Sequence, residues 1–288
     1  LLGAPLSRDR EAVKAASMAL TRKLMAPATH IHRVQHTQLQ FILLLHCVAT
    51  VVTHLCRMVE PDLRRESLEL HERVVREQLE EVVHTPRQLQ EGRRLANHLW
   101  DRAKLPVRHG GMGMQDMIRV APAAFMDALA RVLRRAKACN SQAAARVALW
   151  IGGGKGGISE QRDSLAEKVN QNVDGGDAPN PLCPSMAAFD TMPPQNTLSE
   201  RLYKLRQKEM LQSPRDREAR AWHRSCCEFN AGAWMQAIPS LPHFKAASGI
   251  FRIMLQIWLG LPVSDSHDIV ICHSCGKREG PRIGTGRH

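Results

Sequence analysis

Runs of helical periodicity follow one another along most of this chain, and strand-like alternation is scarce. Proline and glycine separate the runs, because both disfavour the interior of a helix. Only 4% of the 288 residues are aromatic, so the core is expected to come mainly from Leu, Val, Ala and Met, a mixture that favours helices. The sequence therefore predicts an all-α fold: helical bundle segments joined by a Gly/Pro-rich linker, with a small irregular C-terminal tail.

The helix limits follow from the periodicity and its stop signals. One long helix is predicted over about 31–58 and ends before Pro61. The next spans 62–84, with an apolar stripe of Leu63, Leu70, Val74 and Leu79. Further helices are predicted over 8–25, from Pro86 to about Trp100, and over 116–138, 141–151, 159–172, 198–212, 213–229 and 244–259.

Residues 39–59 are long and apolar enough to be compared with a membrane span. Polar side chains recur through the stretch, among them His46, His54 and Arg57, and such groups are costly in lipid. We therefore expect a buried helix of a bundle and no membrane partner.

Two glycine-rich segments interrupt the helices. Three glycines within residues 105–114 allow backbone angles that no helix uses, so a break is predicted there. Residues 152–197 are rich in Gly and Pro and are predicted to be a linker or insertion. The GGGKGG run at its start does not match a phosphate loop, because Gly156 follows Lys155 where Ser or Thr is required.

The charge balance favours a polyanionic partner. The net charge is +12, and residues 1–150 carry 23 Lys and Arg against 14 Asp and Glu. Contacts to phosphates release counterions, so nucleic acid is the expected partner, although charge alone is unspecific. Either a solvated helix face or a phosphate contact explains the basic run near residue 131. The candidate nucleic-acid-binding residues are Arg22, Lys23, Arg33, Arg131, Arg134 and Arg135.

Cysteine and histidine clusters suggest one metal site. The eight cysteines are too sparse for a disulfide scaffold, so the chain is read as reduced and intracellular. His30, His32 and His36 form a cluster in which His32 and His36 lie four residues apart, but no third ligand is evident, so solvated or core histidines are favoured. At Trp222-His223 with Cys226-Cys227, helix packing is favoured.

Cys272-His-Ser-Cys275 has the spacing of a zinc-chelating pair, and His288 is a candidate third ligand. The sequence leaves two interpretations open: a partial zinc site, or incidental free cysteines in the tail.

Several motifs, in their order, resemble one family. Leu105-Pro-Val-Arg-His-Gly-Gly-Met-Gly-Met114 followed by Ala121-Pro-Ala-Ala-Phe125 resembles the LPxxxGGLGL…AxxAY signature found downstream of the polymerase core in non-LTR retrotransposon reverse transcriptases. Met replaces Leu at 112 and 114, and Phe replaces Tyr at 125.

The flanking segments extend the resemblance over nearly the whole chain. Leu2-Gly-Ala-Pro-Leu6 resembles the LGAPIG stretch where that core meets the thumb. Residues 231–239, 259–262 and 272–276 resemble the family order GAWLxALP…LGLP…CxxCG, whose last element is a zinc knuckle of the CCHC type.

The resemblance implies a division of the chain and a role. It implies thumb-like helices at 1–58, a helical connector at 59–151, the linker or insertion at 152–197, and C-terminal helices with part of a zinc knuckle at 198–288. The family's polymerase uses a YxDD-type motif that binds magnesium. Here Tyr203 is followed by Lys-Leu-Arg, and no two aspartates are adjacent. Magnesium is thus expected only for a polymerase core outside this chain.

The expected function is non-catalytic. The chain would hold template–primer, RNA or DNA, for the rest of a polyprotein that is an RNA-directed DNA polymerase. The resemblance also allows a nuclear location. The alternative is a helical protein–protein interaction module, which salt-insensitive binding to a protein would support.

Overall fold

A computed structural model describes residues 9–138, 142, 194–212, 217–240, 245–261, 270–271 and 278–279. Helices make up 76% of the residues that can be interpreted, which confirms the all-α prediction. The strand structure in this part of the chain is one short antiparallel pair, β1 (Val270–Ile271) and β2 (Arg278–Glu279).

The helices lie where the sequence periodicity predicts them, and several are shorter than the predicted spans. The α-helices are α1 Arg10–Met25, α2 Thr37–Leu43, α3 Thr53–Met58, α4 Pro61–Val83, α5 Pro86–Gln90, α6 Asn97–Ala103, α7 Met117–Ala138, α8 Gln195–Gln212, α9 Arg217–Cys226 and α10 Ser248–Leu259. Three 3₁₀ helices lie at Ala26–Arg33, Val107–His109 and Ala233–Gln236, and a π-helical turn spans Leu44–Val48.

Local chemistry accounts for several of these limits. Pro61 and Pro86 each open a helix, where a missing N–H costs nothing. At the start of α5, the Thr85 hydroxyl accepts from the backbone of Gln88, and the Gln88 side chain accepts from the Thr85 N–H. Gly260 ends α10 with a φ of 73°, a conformation that glycine adopts without strain.

The single helix predicted over about 31–58 is wrong in detail. The segment is divided into the end of a 3₁₀ helix, α2, the π-helical turn, a turn at 49–52 and α3. Four of the five residues from Val48 to Val52 are β-branched, and the Thr50 hydroxyl donates to His46 O at 2.7 Å, which competes with a regular helix. By length and composition alone Thr37–Met58 could cross a membrane, and 44% of its apolar window is buried inside the protein.

Two compact units divide the chain, and each combines three separated segments. Unit 1 contains residues 1–23, 52–70 and 116–206, and unit 2 contains 24–51, 71–115 and 207–288. The divisions expected from the sequence are consecutive segments and stay a prediction, because proline and glycine mark breaks in the chain and do not indicate which segments pack together. In unit 1, α3 packs against α7. Its buried apolar residues include Leu55, Leu68, Phe125, Met126 and Leu198.

The core of unit 2 is built around aromatic side chains. The rings of Phe41 and Phe251 lie 6.0 Å apart, and Trp234 meets Phe251 at 5.5 Å and Trp258 at 6.1 Å. Leu, Val, Ala and Met still supply most of the buried residues of this unit, as expected, and the aromatic rings are added to them. The chain has few aromatic residues, but several are gathered here, and each buries a large area.

Candidate nucleic-acid interface and the glycine loop

The segment Leu105–Met114, called the glycine loop below, is buried in unit 2. Its side chains at Leu105, His109, Met112 and Met114 are all buried. Gly110 and Gly113 have φ values of 74° and 82°, in the left-handed region that favours glycine. The break predicted at 105–114 thus marks an internal packing element of the fold.

Backbone hydrogen bonds hold the glycine loop against the end of α6. Met112 N and Met114 N both donate to Ala103 O at 3.1 Å, and Gly113 N donates to Leu105 O at 2.8 Å. Gly110 N and Gly111 N donate to carbonyls within the loop. The N–H groups from residue 110 to residue 114 are therefore all used internally. A loop that cradles phosphate needs such groups to be available, so this one does not act as a phosphate loop.

The centre of the loop admits no side chain. A Cβ added to Gly111 would overlap Leu105 O and lie 2.6 Å from Arg102 O, both of them backbone atoms. The Arg102 side chain reinforces the same arrangement, since its Nε donates to Gly110 O at 3.0 Å. Glycine at 111 is a steric requirement.

The segments of the family resemblance that lie in unit 2 pack on one another. Trp258 Nε1, at the end of α10, donates to Gly111 O at 3.0 Å. A Cβ on Gly232 would overlap Val107 Cγ1 and lie 3.1 Å from Trp258 Cη2. The glycine loop, the 231–239 segment and the end of α10 therefore meet in one buried cluster.

The cysteine pair beside the glycine loop serves packing. Cys227 Sγ accepts from Gln207 Nε2 at 2.9 Å and donates to His223 O at 3.1 Å. Burial raises the pKa of both Cys226 and Cys227, although the nearby Arg102 guanidinium lowers it in each case. A thiol with a raised pKa is a poor nucleophile and a poor metal ligand. Helix packing, the interpretation favoured from sequence, fits this geometry.

The three arginines near the end of α7 lie in unit 1, and their side chains are exposed. Arg131 Nε lies 2.9 Å from Asp127 Oδ2, and this carboxylate is itself buried. Arg131 therefore carries a compensated charge, and the positions one turn before Arg134 and Arg135 hold no acidic residue. This face of α7 offers the exposed guanidinium groups of Arg134 and Arg135 for phosphate contacts.

The remaining basic candidates are placed separately. Arg22 and Lys23 are exposed in the last turn of α1, in unit 1. Arg33 is exposed at the end of the first 3₁₀ helix, in unit 2. Five of the six predicted residues thus belong to unit 1, and three of those five lie on α7.

Metal ligation is absent from the part of the chain that the structure describes. No three His, Cys, Asp or Glu side chains there are grouped closely enough to hold a metal ion, and His30 and His32 are exposed. The predicted zinc ligands Cys272, Cys275 and His288 lie outside the described residues. Around them, β1 and β2 pair with Ile271 opposite Arg278.

Sequence reasoning missed a buried cation in unit 1. Arg64 is among the largest fully buried side chains, and its Nη1 donates to Cys56 Sγ at 3.5 Å, whereas Nε and Nη2 have no partner. Burial lowers the pKa of Arg64 and raises that of Cys56. A signal was available, because Arg64 shares a helical face with Leu68 and Val75, which are buried.

Comparisons of the chain with protein-family models, with curated proteins and with solved structures find no match.

Proposed function

We propose that this chain is a non-catalytic region of a retroelement reverse transcriptase that holds template–primer through phosphate contacts. The polymerase chemistry, with its magnesium ions, belongs in this proposal to another part of the polyprotein. The basic residues act by charge and read no sequence, because contacts to phosphates position a nucleic acid without specifying its bases.

The observation that carries the proposal is the packing of the glycine loop. Motifs that resemble the family in their order along the chain also meet in space, through Trp258 and Gly111 and through Gly232 and Val107. Incidental matches separated by more than a hundred residues have no reason to share one buried cluster. This supports a common structural origin for the motifs and, with it, the role that the resemblance implies.

Electrostatics supports the same role. The net charge of +12 favours polyanions, and Arg134 and Arg135 extend from a helix whose opposite face is buried in unit 1. A helix fixed by its apolar face holds the exposed guanidinium groups at a constant spacing. Two such groups can engage neighbouring phosphates of one strand.

The test measures binding of the full chain to labelled duplexes of unrelated sequence over a range of salt concentrations. We expect similar affinities for the different sequences and a linear fall of log affinity with log salt. The double variant Arg134→Gln/Arg135→Gln should make the slope less negative by about 2, since each lost phosphate contact contributes about 0.9 on a duplex.

The matched control removes the same charge elsewhere. Arg65 and Arg87 are exposed and each pairs with a glutamate four residues later. Arg65→Gln/Arg87→Gln should therefore leave the slope almost unchanged. Equal effects of the two double variants would mean that only net charge matters and that α7 is not the interface. Salt-insensitive binding, or no binding, would contradict the proposed function.

A second candidate, a protein–protein interaction module, is favoured by the outer face of α10. Ile250 and Ile253 are 58% and 42% exposed on a helix without acidic residues. Exposed apolar side chains gathered on one element are typical of a surface that binds protein. Binding of the chain to a protein partner that survives high salt, without measurable nucleic-acid binding, would select this function instead.

A further inference from the structure

The exposed face of α9 carries three arginines. Arg217, Arg220 and Arg224 are spaced i, i+3 and i+7, which places them on one side of the helix. Arg217 and Arg224 are exposed and Arg220 is half-buried. The opposite face packs into unit 2 through His223 and Cys226.

The three arginines share no acidic partner among the side chains that the structure describes. Within that part of the chain, none of the three forms a hydrogen bond or an ion pair. Elsewhere on the surface, arginines such as Arg65 and Arg87 are paired with a glutamate one helical turn away. The face of α9 thus offers guanidinium donors to an external anion, and an arginine fork suits phosphate oxygens.

Phe229, three residues beyond α9, is 92% exposed, more than any other large hydrophobic residue in the described part of the chain. Leaving such a side chain in water forgoes the stabilisation that burial of a phenyl ring provides. Its neighbours Ser225, Glu228 and Asn230 are also exposed and polar, so the ring does not belong to a larger apolar patch.

Hydrogen bonds hold the turn that presents this ring. Cys227 N donates to Arg224 O at 2.9 Å, Ala231 N to Glu228 O at 3.1 Å, and Ala233 N to Asn230 O at 3.0 Å. Directly after the turn, Gly232 is packed against unit 2 so closely that it has no room for a Cβ. The ring is therefore presented by a backbone anchored on both sides.

We propose that the arginine face of α9 and the Phe229 ring together bind a single-stranded segment of nucleic acid, with phosphates on the arginines and one unpaired base stacked on the ring. This inference rests on the proposed function, because it needs a chain that binds nucleic acid. It names a second contact surface, distinct from α7, and a substrate class for it.

The geometry favours a single strand over a duplex. Seven residues of helix advance about 10 Å, so the arginines can contact more than one phosphate of the same strand. Inside a duplex the faces of each base are covered by its neighbours, so a lone ring can stack only on an unpaired base. Glu228, directly before Phe229 in the chain, is exposed and its carboxylate repels phosphate, so the backbone of the strand is expected to follow the arginines while a base reaches Phe229.

A protein partner fits this surface less well. A protein-binding aromatic anchor normally sits at the centre of a well-packed contact region surrounded by residues that exclude water. Here the neighbours of the ring along the chain are polar and exposed, and the preceding helix carries three arginines on one side. If Phe229→Ala abolished binding to a protein and left single-strand binding unchanged, the surface would be a protein-binding one instead.

The experiment measures binding of the full chain to a labelled single strand and to the duplex of the same sequence. Phe229→Ala should weaken binding to the single strand about tenfold, the effect of removing about one stacked base, and leave duplex binding unchanged. Phe229→Trp should retain the wild-type affinity because its ring also stacks. Ile238→Ala, which truncates another exposed apolar residue, is the control and should change neither affinity.

Arg224→Gln supplies the electrostatic half of the test. It should reduce the salt slope for the single strand by about 0.7, the contribution of one phosphate contact on such a strand. The inference is overturned if Phe229→Ala binds the single strand as the wild type does, if it weakens both ligands equally, or if it abolishes only binding to a protein. A wild-type chain that binds neither ligand would instead refute the proposed function, so the two failures can be told apart.

Discussion

Gly111 carries the tightest steric constraint in the glycine loop. The backbone carbonyls of Leu105 and Arg102 occupy the space where a side chain would begin, and Trp258 is hydrogen-bonded to the carbonyl of Gly111 itself. Backbone atoms cannot move aside as the end of a flexible side chain can. A methyl group at this position would therefore displace the loop from both α6 and α10.

Gly111→Ala is expected to destabilise the chain by about 2 kcal/mol or more, because overpacking against rigid atoms typically costs 1–3 kcal/mol. Gly249→Ala is the matched control. Gly249 lies in α10 with nothing within 4 Å of an added Cβ, so alanine should be neutral or stabilising by about 0.5 kcal/mol through helix propensity. The midpoints of urea unfolding measure both effects, and equal midpoints for the two variants would contradict the steric argument.

The sequence predicted the break at 105–114 but not the need for glycine at one particular position. Three glycines in four residues indicate unusual backbone angles, and the positive φ values of Gly110 and Gly113 agree with this. The constraint on Gly111 comes from how closely the loop folds back on Leu105 and Arg102, and the loop is held in part by Trp258, 147 residues away along the chain. A local pattern carries no information about a contact at that separation.

At the scale of elements, α4 illustrates both the strength and the limit of periodicity. Its predicted span of 62–84 agrees closely with Pro61–Val83. The predicted stripe is only partly right: Leu79 is buried, whereas Leu63, Leu70 and Val74 are half-buried. The buried face also carries polar groups, among them Arg64, Ser67, His71, Gln78 and Glu80. A rule that counts apolar residues cannot find a face that buries so many polar ones.

The end of α4 yields a prediction about pH. His84 is buried directly after the helix, and burial lowers the pKa of its imidazole, with Glu80 opposing and Arg93 adding to the effect. The unfolded chain protonates this histidine near pH 6.5, and the folded chain only at lower pH. Between the two pKa values the unfolded state binds more protons, so stability falls as the pH drops below about 6.5.

His84→Gln should therefore flatten the pH dependence of the free energy of unfolding, measured with urea between about pH 7.5 and about pH 5.5, the range in which histidine titrates. His54→Gln, at an exposed position, is the control and should retain the wild-type slope. An unchanged slope in the His84 variant would show that this histidine is not held neutral by the fold.

At the scale of the whole molecule, the order of segments in the sequence differs from their grouping in space. Unit 1 takes residues 52–70 and 116–206 from either side of a segment that belongs to unit 2. Composition, and proline and glycine in particular, predict linkers such as the one at 152–197, but they do not reveal which distant segments share a core. For this reason the fold class could be predicted from the sequence and the arrangement of its units could not.

The C-terminal segment tests whether the family resemblance extends to the last of its motifs. The Cys272-x-x-Cys275 pair follows β1 directly, and the pairing of Ile271 with Arg278 brings the two ends of this short segment together. Two thiolates at this spacing suit zinc, and His288 is the predicted third ligand where a structural site normally uses four. We expect the chain to bind zinc weakly, because an incomplete ligand set contributes less binding free energy. Co²⁺ bound at the same site should show the visible absorbance of thiolate coordination.

Cys272→Ser should abolish that absorbance in a Co²⁺ titration of the full chain, and His288→Ala should weaken the binding. Cys47→Ser is the control, because Cys47 is an exposed free cysteine in the π-helical turn. This variant should leave the titration unchanged. A Cys272→Ser chain that binds Co²⁺ as the wild type does would mean that the cysteines are incidental. In that case the resemblance would end at Pro262, and the partial zinc site would have to be abandoned.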